Sequence, residues 1–428
     1  MLEGNVPRPV ARRAIRKILG RVLCAVLFAG LCAAAAAAQE GPLVLQRDGR
    51  VISLVPYAPN IVRITMSTGK AAATSAPGYG IIARPSTEGW THERDAEGYD
   101  VYRSDRMVVR ISPENMPAPK PMSLDALNLQ LRKKFFPRVN NPYAPHDDSI
   151  SVMRADGELL LRMRNWSMAP ESAEVQQSDP IDKGFSRVAA VFDSPDNEHY
   201  YGLGQQQKGW MDLRDHEIRC WHDYGALGGE DVCVPFMVSS RGYGLVWDNP
   251  SKTTIDLGFN NQNVWSSEVG NRVSYFVIAG KTSDEIYEGY RLLTGVAHML
   301  PRAVYGYIQS KAIYPTQHDV LNVASEYRKK NLPLDVIVVD FLNMTKQGNL
   351  DLDPKRWPDP AEMNRELHAM DVRTLLSVWP HFAPDTQFYD MLKSKGWLIH
   401  APNGEPDMGS NPSAIGPNID TTNPEAAK

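Results

Sequence analysis

Two residues sit where an α/β protein would place chemistry. Asp340 closes the β-branched run Leu334-Asp-Val-Ile-Val-Val339, and Trp379 closes the run Thr374-Leu-Leu-Ser-Val-Trp379. If both runs are parallel strands of an α/β barrel, these side chains stand at the C-terminal strand ends, where barrel active sites are built. A polar residue ending a buried apolar strand is a site candidate, and an aromatic in that position can stack on the apolar face of a sugar ring. Position alone is equally compatible with Asp340 turning the loop after its strand and with Trp379 packing in a core. A second group of reactive types, His216, Cys220, His222 and Cys233, matches no standard zinc spacing, so no metal is expected there.

The elements that would position Asp340 and Trp379 are legible around them. After about Pro301 strand and helix signals alternate, as in parallel βα units. The spacing predicts a strand over Val304–Gln309, then a helix from Thr316 with a Thr316/Asp319 capping box and Val320, Val323, Ala324 and Tyr327 on one face. The second strand, Leu334–Val339, is continuously apolar apart from Asp335, as expected of a parallel strand buried on both faces. The next helix is predicted to be capped by Asp359, with Pro360 at its first position and Met363, Leu367 and Met370 turned inward. Only 128 residues run from Pro301 to Lys428, against the roughly 250 of a complete eightfold barrel, so about three units are expected.

The preceding region differs. From Leu43 to Val277 short β-like runs, among them Ile61–Met66, Met107–Ile111, Leu159–Met163, Tyr243–Trp247 and Tyr275–Ile278, are separated by Gly, Pro, Asn and Asp, the pattern of a β-sandwich. The predicted domain boundary lies near residue 300: sandwich over 39–300, partial barrel over 301–428.

Residues 1–38 are of another kind. Arg8, Arg12, Arg13, Arg16, Lys17 and Arg21 precede the apolar stretch Val22–Leu31 and an alanine run ending at Ala38, which reads as a secretory signal peptide cleaved near Ala38. Its apolar core is too short for a lasting membrane anchor, and Leu31 before Cys32 is too bulky for a lipoprotein signal. The mature chain is therefore expected in the periplasm or outside the cell. Losing six basic residues and Glu3 takes the formal charge from −4 to −9 and leaves no basic patch to suggest nucleic acid. Cys24 and Cys32 leave with the leader, so Cys220 and Cys233 remain and are free to pair in an oxidising compartment.

Several motifs in order carry a family resemblance. Tyr201-Gly-Leu-Gly204, Val234-Pro-Phe-Met-Val-Ser-Ser-Arg-Gly-Tyr-Gly-Leu245 and Asp248-Asn249 resemble the N-terminal, galactose-mutarotase-like sandwich of glycoside hydrolase family 31. Asn331–Asp340, Trp357-Pro-Asp-Pro360, Leu367-His368, Ser377-Val-Trp-Pro380 and Ile419-Asp-Thr-Thr-Asn-Pro424 are similar to the first part of its (β/α)8 TIM barrel, in the family's order.

The resemblance implies a retaining α-glycosidase with two carboxylates about 5 Å apart, no cofactor and no metal. In the family both carboxylates lie on later barrel strands, so neither is expected among these residues and the isolated chain is expected to be inactive. It also implies four substrate-binding residues: Asp340, bonding hydroxyls of the sugar in the −1 subsite; Phe341, shaping the pocket wall; Trp379, lining it; and Asp223, in Trp221-His-Asp-Tyr224, on a loop reaching over it. Asp340-Phe-Leu-Asn343 with Gln347-Gly348 is closer to the α-xylosidase branch than to the α-glucosidase branch. The substrate expectation is thus a xyloglucan-type oligosaccharide, the alternatives being an α-glucosidase or a non-catalytic carbohydrate-binding remnant. Two departures stand out: Gln205 where many relatives carry Glu, and Asp371 where a helix-ending Gly is common.

Overall fold

The computed structural model of the 428-residue chain describes residues 41–47, 49–114, 148–170, 185–205, 208–221, 232–341, 343–401, 403–409 and 416–428. The expected leader over 1–38 and the candidate Asp223 lie outside these residues. The described chain falls into two units, one running to Gly295 and one beginning at Val296.

The first unit holds two antiparallel sheets, of seven and nine strands among the described residues. Strand centres follow the alternation in the sequence: Met107–Ile111 and Tyr243–Trp247 form as read, and Ile61–Ser67 and Val273–Ala279 extend the runs by one and three residues. The last two strands pair antiparallel, with Val62 opposite Val277. Between the sheets lie the fully buried Trp166, Trp247, Trp265, Phe192 and Tyr275. Trp247 and Trp265 rings are 5.5 Å apart, and Phe192 meets Tyr275 edge to face at 5.2 Å, arrangements that add to plain area burial.

Several charged groups are buried in this unit, and two sites show how their partners are supplied. The Asp248 carboxylate takes Arg63 Nη2 at 2.8 Å, the Ser274 hydroxyl at 3.0 Å and the Gly78 N–H at 2.8 Å. Arg63 also donates from Nε to Ser274 Oγ and from Nη1 to the Ser75 carbonyl. Elsewhere Glu198 accepts the Ser239 hydroxyl at 2.6 Å and the Tyr243 hydroxyl at 2.7 Å. Burial pushes the Glu198 carboxyl above its ordinary 4.5, against the opposing effect of those two donors. An acid whose folded value is raised binds more protons folded than unfolded, so its contribution to stability falls as pH rises from 4.5 through the raised value. The melting temperature of the parent relative to Glu198→Gln is therefore expected to decline across that window. A difference that stays flat or grows with pH in a calorimetric series contradicts this.

The second unit is a three-stranded parallel sheet with helices between its strands. Numbered within this unit, β1 is Ile308–Lys311, α1 Gln317–Lys329, β2 Val336–Val339, α2 Pro360–Ala369, β3 Arg373–Leu376 and α3 Tyr389–Ser394. The Thr316/Asp319 capping box forms, and Asp359 caps α2 from its side chain with Pro360 at the start. Asp371 adopts φ 53°, the left-handed turn that the usual Gly would take without strain. Val320, Ala324, Ile337, Val339, Met363 and Leu367 form the core between helices and sheet.

β1 begins four residues later than the alternation suggests. Pro301 opens a 3-10 turn over Arg302–Tyr305, and the Asp335 carboxylate accepts the Tyr307 N–H at 3.0 Å, so pairing starts only at Ile308. β2 is buried along its whole length, whereas Leu375 and Leu376 of the edge strand β3 are 43% and 44% exposed. This open apolar edge is what three strands of a barrel leave. Among the described residues no helix is long and apolar enough to cross a membrane.

Candidate sugar-binding site

The three strands end level with one another. Lys311 pairs with Val339 and Val339 with Leu376, so Ala312, Asp340 and Ser377 are the first residues past the sheet. Two backbone bonds hold this rim: Phe341 N–H to the Ala312 carbonyl at 3.0 Å, and Ser377 N–H to the Val339 carbonyl at 3.0 Å. Asp340 is thus fixed at the C-terminal end of the central strand by pairing on both sides. Its side chain is half-buried, and among the described residues no hydrogen bond or ion pair engages its carboxylate. A carboxylate left open in this position can accept hydroxyl donors from a bound ligand.

Phe341 and Trp379 come together beside it. Their ring centroids are 5.3 Å apart at an interplanar angle of 41°, and His381 lies 6.2 Å beyond the indole. Both aromatic side chains are half-buried, leaving ring surface for an apolar face. Of the four residues expected to bind substrate, Asp340 and Phe341 stand at the end of β2 with Trp379 beside them, three residues past the end of β3 rather than closing that strand as expected, and Asp223 is not among the described residues.

Sequence reading gave no contact to Asn343, Gln347 or Gly348. Asn343 is buried and donates from Nδ2 to the Ser377 carbonyl at 3.1 Å, and Gln347 donates from Nε2 to the Trp379 carbonyl at 3.4 Å. A polar side chain satisfied by a backbone carbonyl more than thirty residues away leaves no local signature. The only available signal is that these residues form part of the branch-discriminating segment.

In the first unit Cys220 and Cys233 form a disulfide, with Cα atoms 5.0 Å apart. The thiolates that a zinc site would need are thereby consumed, and no group of three His, Cys, Asp or Glu among the described residues is placed to hold a metal. Beside it, Gln205 pairs with Val232 through its backbone, N–H to carbonyl at 2.8 Å and 3.0 Å, so its exchange for Glu does not bear on that pairing.

Comparison with known proteins bears on both units. Residues 51–256 match the glycosyl hydrolase 31 N-terminal galactose mutarotase-like domain, and residues 297–428 match the glycosyl hydrolases family 31 TIM-barrel domain. An uncharacterized family 31 glucosidase of Pseudescherichia vulneris is 36% identical over 53% of this chain and 41% of its own length. An alpha-xylosidase of Saccharolobus solfataricus is 33% identical over 59% of this chain and 35% of its own length. A solved GH31 alpha-xylosidase from a soil metagenome, complexed with xylose, superposes with a TM-score of 0.70 at 25% identity, over 90% of this chain and 53% of its own. The chain thus spans about half of that structure and less than half of these curated relatives. With a mutarotase-like sandwich and a parallel three-stranded barrel segment both matching in order, the chain belongs to glycoside hydrolase family 31.

Proposed function

We propose that this chain contributes the sandwich and the −1 sugar-binding rim of an exported, retaining α-xylosidase acting on xyloglucan-type oligosaccharides. The observation that carries the reading is the open Asp340 carboxylate beside the Phe341–Trp379 pair. In this reading Asp340 accepts hydrogen bonds from hydroxyls of the −1 sugar while the indole packs on its C–H face. Phe341, next in sequence, walls the pocket. Xylose lacks the hydroxymethyl group that glucose carries on C5, so a bulky wall rejects glucose sterically and still admits xylose. The names of the S. solfataricus and soil-metagenome relatives point the same way. An alpha-glucosidase of Bacillus thermoamyloliquefaciens, 28% identical over 45% of this chain, favours the glucosidase alternative.

The nucleophile and the acid/base are proposed to lie on barrel strands that these 428 residues do not supply. The disulfide Cys220–Cys233 supports an oxidising compartment, as the leader does. The decisive assay uses the protein expressed from its own gene, with any codons that follow that of Lys428. It is expected to cleave an aryl α-xyloside with kcat/KM at least tenfold above that for the aryl α-glucoside, and to retain the α-configuration in the first-formed sugar. The reverse preference selects the glucosidase reading. Cleavage of neither by a folded sample removes the catalytic reading altogether.

A further inference from the structure

The segment that follows β2 carries residues whose polar side chains bond the backbone of the proposed sugar rim, not its carboxylate or rings. Asn343 bonds the carbonyl of Ser377 and Gln347 bonds that of Trp379, two carbonyls at successive alternate positions of the strand leaving β3. Gly348 completes the seam. Its φ is +97°, and a Cβ added there would lie 2.5 Å from the His381 carbonyl oxygen and 3.1 Å from Phe382 Cα. Only a glycine permits that approach without displacing backbone. Three contacts at Ser377, Trp379 and His381 thus run along one stretch of chain, opposite Asn343, Gln347 and Gly348. Trp379 lies at the middle of the seam.

We propose that Asn343, Gln347 and Gly348 are positioning residues that hold the Trp379 ring at the sugar site by clamping the backbone on which it is carried. The proposal rests on the reading of Asp340 and Trp379 as the −1 rim. The physical need is plain at the open end of a strand. Beyond Leu376 the chain has left the sheet ladder, and the hydrogen bond from Ser377 N–H to Val339 is its last tie to β2. An indole that must meet a sugar face needs its Cα fixed within a fraction of an ångström, because small misplacements at a binding rim are amplified in rate. The two amide donors supply that fixation from outside the sheet. On this account the stretch from Asn343 to Gly348 influences substrate choice through the placement of Trp379.

The test uses the protein expressed from its own gene and the half-buried position 347, where substitution leaves the core intact. Gln347→Glu removes the donor and sets a carboxylate against the Trp379 carbonyl. Gln347→Lys keeps a donor on a flexible stem. Acrylamide quenching of tryptophan fluorescence is measured for each protein and for its Trp379→Phe counterpart, and the difference reports on Trp379 alone. The Trp379 component is expected to become about twofold more accessible in Gln347→Glu and in Asn343→Asp and to stay near the parent value in Gln347→Lys, at near-parent melting temperature for both 347 variants. Competition by free xylose is expected to weaken about tenfold in Gln347→Glu and less than twofold in Gln347→Lys.

Unchanged Trp379 accessibility in a folded Gln347→Glu overturns the clamp whatever the sugar does. Equal loss in Gln347→Lys also overturns it, since the donor is then irrelevant. A parent that binds no xylose, with accessibility rising as expected, refutes the substrate reading and leaves the clamp standing.

Discussion

Replacing Asp248 with alanine is expected to lower the unfolding free energy by about 3–5 kcal/mol, the range for breaking one side of a buried ion pair. For a unit of this size that corresponds to a fall of roughly 6–20 °C in melting temperature. The side chains of Arg63 and Asp248 are 3% and 7% exposed, so the guanidinium loses its charge partner in a largely dehydrated position. Arg63 would keep the Ser274 hydroxyl and the Ser75 carbonyl, which offset dipoles but supply no net charge. Asp248 also receives the Gly78 N–H and lies 3.5 Å from Arg272, so three segments loosen together. Removing both charges in Arg63→Met/Asp248→Ala is expected to recover at least half of the loss, because the buried Arg63 cation is then absent and the cation that remains, Arg272, is the more exposed of the two. Chemical denaturation of the two variants checks this. A single mutant within 1 kcal/mol of the parent, roughly the value of an exposed pair, shows that the site is wetter than its burial implies.

The largest effect on function is expected at Asp340. Hydrogen bonds to a charged acceptor contribute about 1.5–3 kcal/mol each. If the carboxylate holds two sugar hydroxyls in the transition state, Asp340→Ala lowers kcat/KM for the aryl α-xyloside by about a hundred- to ten-thousand-fold. The fold should be spared: among the described residues no protein group engages this carboxylate, and the chain around it is held by backbone pairing at Val339 and Phe341. The measurement therefore pairs kinetics with a melting curve. Activity within threefold of the parent would remove Asp340 from the site. A collapse of both activity and melting temperature would make it a structural residue.

Asp340 was readable as a position at the end of a strand, while a role for it at a sugar site is a proposal. A buried β-branched run has to end, and the polar Asp340 that ends it is visible as a break in hydrophobicity, whereas the strand expected over Thr374–Trp379 runs Arg373–Leu376 and leaves the indole three residues past its end. Caps are equally local, so Thr316 with Asp319 and Asp359 with Pro360 were legible from spacing alone, and Asp371 announced its φ by replacing a helix-ending glycine. The start of β1 was not legible. Val304 to Gln309 has strand composition, but the Pro301 turn and the Asp335 carboxylate, 28 residues beyond Tyr307, decide where pairing begins. The same applies to Asn343 and Gln347, whose partners are carbonyls of another strand end. Contacts to backbone at long range have no preferred residue type at the far end, so nothing in the far sequence records them. The loop bearing Asp223 stays a matter of resemblance.

The pairing of Ile61–Ser67 with Val273–Ala279 has a consequence for how the chain is made. Val62 and its partner Val277 are 215 residues apart in sequence. At about 5–20 residues per second, the ribosome delivers the partner strand on the order of ten to forty seconds after the first. Through that interval a seven-residue strand, every position of which is buried in the finished sandwich, has one edge satisfied by Arg50–Ala58 and the other open. Such an edge recruits any extended apolar segment within reach, including the same strand on a neighbouring nascent chain. Expressed without residues 1–38, so that it folds as it leaves the ribosome, the chain should be limited in yield by how well holding chaperones cover this edge, more than by the stability of the native state, and slowing initiation to space ribosomes apart should raise that yield.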